Sequence, residues 1–319
     1  MGVCISRTML LRKLNARGET KKNVKLSSFT TFRLGGKAKY FLAINTLENF
    51  LKVIDYIERH NLKYFILGAG SNVLVADSGY KGIVIKLSGD LSRVRTQGDI
   101  LEVGAGARLS TVYVMARDME LSGLETLATI PATIGGAVYM NAGAYGTEIK
   151  DIVEYVIAYI DGRFKYFKNS DCGFGYRKSV FQDNKAIILR VGLKLQHSQK
   201  EEIQTRYLET LRKKRDTQPL DKYSAGSVFK RIVGLNISKM LDDIGVKGLS
   251  IGGASVSTKH SNFIISQGAK AQEVFDLIVL VKKKFKDTYG IDIETEIKFL
   301  GDFYETNGWF SYTYQLYSW

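Results

Sequence analysis

The chain has 319 residues, enough for roughly two domains of ordinary size. Hydrophobic residues make up 45% and charged residues 24%, which excludes a disordered chain, a collagen or a coiled coil. Lys plus Arg number 46 against 32 Asp plus Glu, and the net charge of +14 leaves three readings: a plain basic surface, nucleic acid, or small polyanions such as nucleotides.

Residues 1–24 are polar and basic and read as a loosely held arm. Leu47 to His60 reads as a helix with Phe50, Val53, Ile54 and Ile57 on one face. Tyr64–Leu67, Val73–Val75 and Gly82–Leu87 read as strands, then Ile100–Val103, then a helix running through Met115 to Met119. A long Gly-rich passage spans Ser122 to Gly146. Strands follow at Ile152–Tyr159, Gly162–Phe167 and Ala186–Leu195, with a helix over Glu201–Lys214. Beyond Pro219 come a helix through Ile237 and Ile244, a strand at Phe263–Ile265, a long helix from Val274 to Phe285 stopped by Gly290, and a final strand at Ile291–Leu300. This mixed order is α+β rather than a regular parallel sheet. The tail from Phe303 to Trp319 holds eight aromatics; Phe310, Tyr312 and Tyr314 alternate, as in an added strand or a subunit contact.

The two densest basic runs, Arg212–Arg215 and Lys282–Lys284, fall at helix ends, where cations are favourable. Nucleic acid therefore ranks last of the three readings. Three scattered histidines (His60, His197, His260) and two cysteines (Cys4, Cys172) show no metal-ligand spacing. Two cysteines point to a reducing compartment, here the cytoplasm. No apolar run approaches the ~20 residues of a membrane span. Met1–Ser6 fits the myristoylation pattern and Asn236-Ile237-Ser238 a glycosylation sequon; both are read as chance matches.

Glycines concentrate in loops. Gly68-Ala69-Gly70-Ser71-Asn72 follows a strand but leads into β-branched residues, and Gly104-Ala105-Gly106 lacks the third Gly of a dinucleotide fingerprint. A Rossmann domain is thus disfavoured. A backbone nest for a pyrophosphate suits Gly68 to Asn72, with Ile130–Ala137 and Asn141–Gly146 as a second cluster. Tight turns would need such glycines too. Several loops in order favour a large phosphate-bearing cofactor. The only two prolines, Pro131 and Pro219, stand inside one of these loops and ahead of a Ser-Ala-Gly-Ser segment, where a fixed φ would help shape a site.

The motifs Thr30-Thr31-Phe32-Arg33-Leu34-Gly35-Gly36, Leu67–Val75, Gly123-Leu124-Glu125, Ile130-Pro131, Gly135–Gly146, Phe174–Phe181, Ser224–Lys230, Val256–Phe263 and Glu294–Ile297 occur in the order of a known family. The chain resembles the UDP-N-acetylenolpyruvoylglucosamine reductases over residues 25–302. The resemblance implies an α+β, two-subdomain FAD-binding fold of the FAD-linked oxidase type plus a smaller α+β substrate-binding domain. Residues 1–88 would be the first FAD subdomain and 89–215 the second, with 292–319 returning to the second; 216–291 would bind substrate. It implies non-covalent FAD held by Gly68, Ala69, Gly70, Ser71, Asn72, Ile130, Pro131, Gly135, Gly136, Asn141, Gly143 and Tyr145. NADPH and an enolpyruvyl UDP-sugar would use one site in turn, in peptidoglycan precursor synthesis. Monomer is the expected state, unless the aromatic tail joins subunits.

By the same motif match, Arg177 stabilises charge on the enolpyruvyl carboxylate, Ser227 donates a proton to C2, and Glu296 is the third catalytic position, protonated or orienting Arg177. A serine hydroxyl is a poor acid alone, so Lys230 is the candidate polarising neighbour. Tyr176, Lys230, Arg231, Lys259 and His260 are the expected substrate contacts. Thr129 and Ala132 stand where the family usually has Gly, and Arg231-Ile232 where it has Asn-Pro. The short stretch between Leu195 and Pro219 matches the subclass without a substrate-capping Tyr. The competing readings are another FAD-linked oxidoreductase on this fold, such as an alcohol or hydroxy-acid oxidase, and a cofactor-free nucleic-acid binder.

Overall fold

The computed structural model describes residues 19–98 and 100–304. The expectations for Met1–Ser6 and for the tail beyond Tyr304 lie outside the described residues. Strands Glu19–Lys25, Lys37–Ile44, Tyr80–Leu87 and Tyr64–Ile66 form one mixed sheet in that spatial order. Glu19–Lys25 runs antiparallel to Lys37–Ile44, so the expected loose arm ends in an edge strand. Its charged sequence hides this: an edge strand needs one paired neighbour more than it needs apolar residues. Helix Leu47–Arg59 crosses between parallel strands, capped by Thr46, whose hydroxyl accepts the Asn49 amide, and it buries Phe50, Val53, Ile54 and Ile57.

A second, antiparallel sheet has the order Arg163–Lys168, Val153–Ile160, Ile187–Lys194, Ile100–Gly104, Val94–Gln97. Side chains from both sheets share one core that includes Leu42, Ile54, Val103, Val138 and Val191. Gly104 and Gly106 serve packing here: an added Cβ at either would lie 2.3 Å from the carbonyl oxygens of Leu91 and Leu87 respectively. That accounts for the second Gly-x-Gly without a nucleotide.

The third unit packs a three-stranded sheet (Ser250–Ile251, Ala254–Val256, Ile264–Ser266) and helix Ile237–Asp243 against the long helix Ala271–Tyr289. Asn236 caps the shorter helix by accepting the Lys239 amide, which gives that sequon a structural use. Gly290 ends the long one at φ 71°.

Two ties fix this unit to the first subdomain. Both carboxylate oxygens of Asp77 accept the first amides of the long helix, Ala271 and Gln272, at 3.0 Å each. Strand Lys298–Leu300 pairs in parallel with Val73–Val75. The expected strand from Ile291 is therefore only three residues long. Of the segment 292–319, expected to return to the second subdomain, the described part touches both: Lys298–Leu300 pairs with Val73–Val75, while Glu296 bonds Arg177 and Tyr176. Phe303 stacks on Phe275 at 5.1 Å within the third unit's core.

Candidate active site

The Gly68–Asn72 loop starts where the Tyr64–Ile66 strand ends. Gly70 has φ 68°, and an added Cβ would sit 2.1 Å from the Phe29 carbonyl oxygen, so only glycine fits. Gly68 packs on the start of helix Ile134–Tyr139: its Cβ would lie 2.8 Å from Thr133 Oγ1, which itself accepts the Gly136 amide. The amides of Gly68, Ala69, Gly70 and Ser71 donate to no acceptor among the described residues. Four consecutive half-buried or buried donors against a helix start form a cradle that suits a diphosphate. FAD thus fits this loop.

The second loop turns on its proline. The Ala132 amide donates to Ile130 O at 2.8 Å, a three-residue turn centred on Pro131. Pro219 centres the same turn, with the Leu220 amide on Gln218 O at 2.9 Å. A fixed φ suits both positions. Thr129 and Ala132 do not have positive φ, so their side chains do not distort the loop. Gly135 is forced by contact, since its Cβ would fall 2.8 Å from that of Ala105.

Arg177 is the meeting point. Its Nε donates to Glu296 Oε1 at 2.6 Å, Nη2 to Gly143 O at 3.0 Å and Nη1 to Asn141 O at 3.4 Å. Both partners of the ion pair are largely buried, with side-chain exposures of 15% and 14%, so water screens the pair little. Tyr176 donates its hydroxyl to Glu296 Oε2 at 3.3 Å and accepts the Arg231 amide at 3.2 Å. The guanidiniums of Arg177 and Arg231 lie 4.9 and 5.2 Å from its ring centre. Burial, then the Glu296 charge, raises the Tyr176 pKa. It stays a neutral hydrogen-bond donor.

Ser227 reaches the same place through the backbone. The Glu296 amide donates to Val228 O at 2.7 Å, next to Ser227. Asn262 clamps this segment: its side chain accepts the Phe229 amide at 2.8 Å and donates to Phe229 O at 3.0 Å. The Ser227 hydroxyl has no hydrogen-bond partner among the described residues. Lys230, its expected polariser, pairs instead with Glu294 at 2.6 Å, because the two face each other across the Phe229–Thr295 bridge.

Several assigned residues make hydrogen bonds that hold the site together. The Asn72 side chain donates to Glu296 O at 3.1 Å. Asn141 is fully buried, bonded to Glu148, to Gly175 O and to the Lys150 amide. Gly143 offers its carbonyl to Arg177. Lys259 donates to Arg215 O at the end of helix Lys200–Thr217. His260 accepts the Asn262 amide at 3.2 Å, and burial lowers its pKa. Ile130, Ser71 and Gly136 are half-buried in the two loops, and Pro131 and Tyr145 are exposed. Two lysines escaped the sequence reading: Lys86 Nζ donates to Gly68 O and Lys214 Nζ to Thr129 O, each at 2.6 Å. Lys86 had a signal, a cation within the apolar run Gly82–Leu87; Lys214, inside a basic run, had none.

Two family models match the chain: an FAD binding domain over residues 38–161, and the C-terminal domain of UDP-N-acetylenolpyruvoylglucosamine reductase over 218–300. The reductase of Syntrophomonas wolfei is 38% identical over 284 residues, 88% of this chain and 95% of that protein. That of Caldanaerobacter subterraneus is 38% identical over 294 residues, covering 92% and 97%. The chain belongs to the UDP-N-acetylenolpyruvoylglucosamine reductase family. The crystal structure of UDP-N-acetylenolpyruvylglucosamine reductase from Thermus caldophilus superposes with a TM-score of 0.78 at 35% identity, covering 89% of this chain and all of that one. Membership in this reductase family makes the chain an FAD-containing oxidoreductase, on the α+β FAD-binding fold expected from its sequence. No helix among the described residues is long and apolar enough to cross a membrane.

Proposed function

We propose that the chain reduces the enolpyruvyl ether of UDP-N-acetylglucosamine to UDP-N-acetylmuramate with NADPH, in the cytoplasm, as a step of peptidoglycan precursor synthesis. The observation that carries this reading is the convergence of Arg177, Glu296 and Ser227 from three separate motifs onto one backbone-linked cluster. FAD, when bound, supplies the hydride relay from NADPH to C3 of the enolpyruvyl group.

Arg177 is held by Glu296, Asn141 and Gly143 through three of its five N–H donors. Two donors remain for the substrate carboxylate, where negative charge grows as C3 is reduced. Glu296 is the acceptor for both Arg177 and Tyr176, so its role is to orient the guanidinium. Ser227 supplies the proton to C2, as a relay to solvent or a neighbouring donor. Arg231, fixed over Tyr176, meets a phosphate of the nucleotide substrate. Lys230 and the Lys259–His260 turn frame that side of the site.

Rapid mixing of the Ser227→Ala variant tests the assignment. Flavin reduction by NADPH should persist, while reoxidation by the enolpyruvyl substrate should slow about 10²–10⁴-fold. Wild-type turnover in this variant would remove Ser227 from the mechanism. A flavin-loaded wild type that consumes no NADPH with this substrate would refute the function.

A further inference from the structure

Two lysines each donate to a backbone carbonyl of one of the two cofactor loops. Lys86 rises from strand Tyr80–Leu87 and donates to Gly68 O at 2.6 Å; its ammonium also lies 6.0 Å from the Phe29 ring centre. Lys214, near the end of helix Lys200–Thr217, donates to Thr129 O at 2.6 Å. Both side chains are half-buried, and neither ammonium has a carboxylate within 4 Å among the described residues. Elsewhere in the chain, lysines pair readily with acids, as Lys230 does with Glu294 and Lys282 with Asp292. A cation withdrawn from water without an anion is unfavourable on its own. Burial pulls the Lys214 pKa down to about 8, and burial followed by the Arg108 charge lowers that of Lys86.

A carbonyl oxygen satisfies one donor of an ammonium and offsets little of its charge. Two such cations, each bonded to a carbonyl of a loop assigned to one cofactor, point to an anionic ligand at those loops. FAD brings two: the diphosphate, and the ring system, which gains negative charge on taking up electrons. We infer that Lys86 and Lys214 are the counter-charges for bound FAD, Lys86 for its diphosphate through the Gly68–Ser71 loop and Lys214 for its isoalloxazine through the Thr129–Ala132 loop. This rests on the proposed function only in that it requires FAD. Lys214 is then a positioning and tuning residue, since a charge near the flavin ring sets its electronics. Lys86 is a binding residue for the phosphate end.

The test uses the full chain with Lys86→Met, Lys214→Met and the corresponding Lys→Arg variants, each titrated with FAD. Lys86→Met should weaken FAD binding about tenfold or more, with the flavin midpoint potential of the loaded protein unchanged. Lys214→Met should make that potential more negative. Arginine at either position should restore most of the loss. Before FAD is added, the Met variants should melt no lower than wild type, because an uncompensated cation has been removed. A mere brace for the loop carbonyls gives the opposite pattern, a lower melting temperature with FAD affinity and potential unmoved, and overturns the inference. Wild type that binds no FAD overturns the functional reading and this one together; wild type that binds FAD while both Met variants match it overturns this one alone.

Discussion

Between Gly68 and Ser71 the protein presents backbone: the amides have no acceptor among the described residues and Gly70 cannot carry a side chain. Around Arg177 it presents side chains, with Glu296, Tyr176 and Arg231 committed to one another at hydrogen-bond and ring-contact distances. The two regions meet at Asn72, whose amide ends the loop on Glu296 O. A backbone cradle is rigid and indifferent to charge state, which suits a cofactor that stays. A side-chain cluster holds fixed charge where charge develops, which suits a reacting group. The difference predicts that damage to the first region removes the holoprotein, while damage to the second leaves it coloured but slow.

Gly70→Ala should break the cradle. The new Cβ meets the Phe29 carbonyl oxygen at 2.1 Å in a left-handed backbone, at a combined cost of about 3 kcal/mol or more. The expected product is a destabilised chain with little bound FAD, read by flavin absorbance and thermal melting. Gly226→Ala is the matched control. Its φ is 77° with nothing within 4 Å, so it should cost only about 1 kcal/mol and keep its flavin. Equal behaviour of the two would mean that φ strain, not close approach, fixes the Gly70 position.

Glu296→Gln probes the other region. It removes a charge-assisted bond to Arg177 worth about 1.5–3 kcal/mol while leaving shape and the backbone link to Val228 in place. Steady-state turnover should fall about tenfold to a hundredfold with FAD content unchanged. Loss of flavin in this variant would erase the distinction between the two regions.

That distinction also separates what the sequence displays from what it hides. The cradle is legible because a close approach or a positive φ demands glycine, and glycine is visible in one dimension. The amphipathic helices are legible for the same kind of reason: Phe50, Val53, Ile54 and Ile57 can share a face only at helical spacing. The resemblance located Arg177, Ser227 and Glu296, but their linkage is a tertiary fact carried by Asn262, Asn141 and Gly143. Lys214 looks like any other residue of its basic run until the fold withdraws it from water, and Lys86 is marked only by its place in an apolar run. The Glu19–Lys25 strand is invisible because its residues apart from Val24 are polar and its partner supplies the order.

The smallest effect concerns how the second loop is held from behind. Glu125 accepts the Ser122 hydroxyl at 2.8 Å, the Gly123 amide at 2.7 Å, and Arg206 Nη2 and Nε at 3.0 and 3.1 Å. Arg206 belongs to the helix that carries Lys214, so this carboxylate anchors that helix. Burial alone would raise the Glu125 pKa; the donors, its own amide and that of Gly123 foremost, outweigh burial and hold it below the ordinary value. A folded-state pKa below the unfolded one, about 4.3, gives stability that is present above that value and is lost as pH falls through the folded one. Glu125→Gln should therefore destabilise the protein by about 1–2 kcal/mol at neutral pH, as expected for a partly buried charged hydrogen bond. In denaturant titrations the gap to wild type should close as the pH is lowered past the Glu125 titration. A gap that stayed constant with pH would assign the loss to amide geometry rather than to charge. FAD content at neutral pH should match wild type, because the loop's own turn at Pro131 does not depend on Glu125.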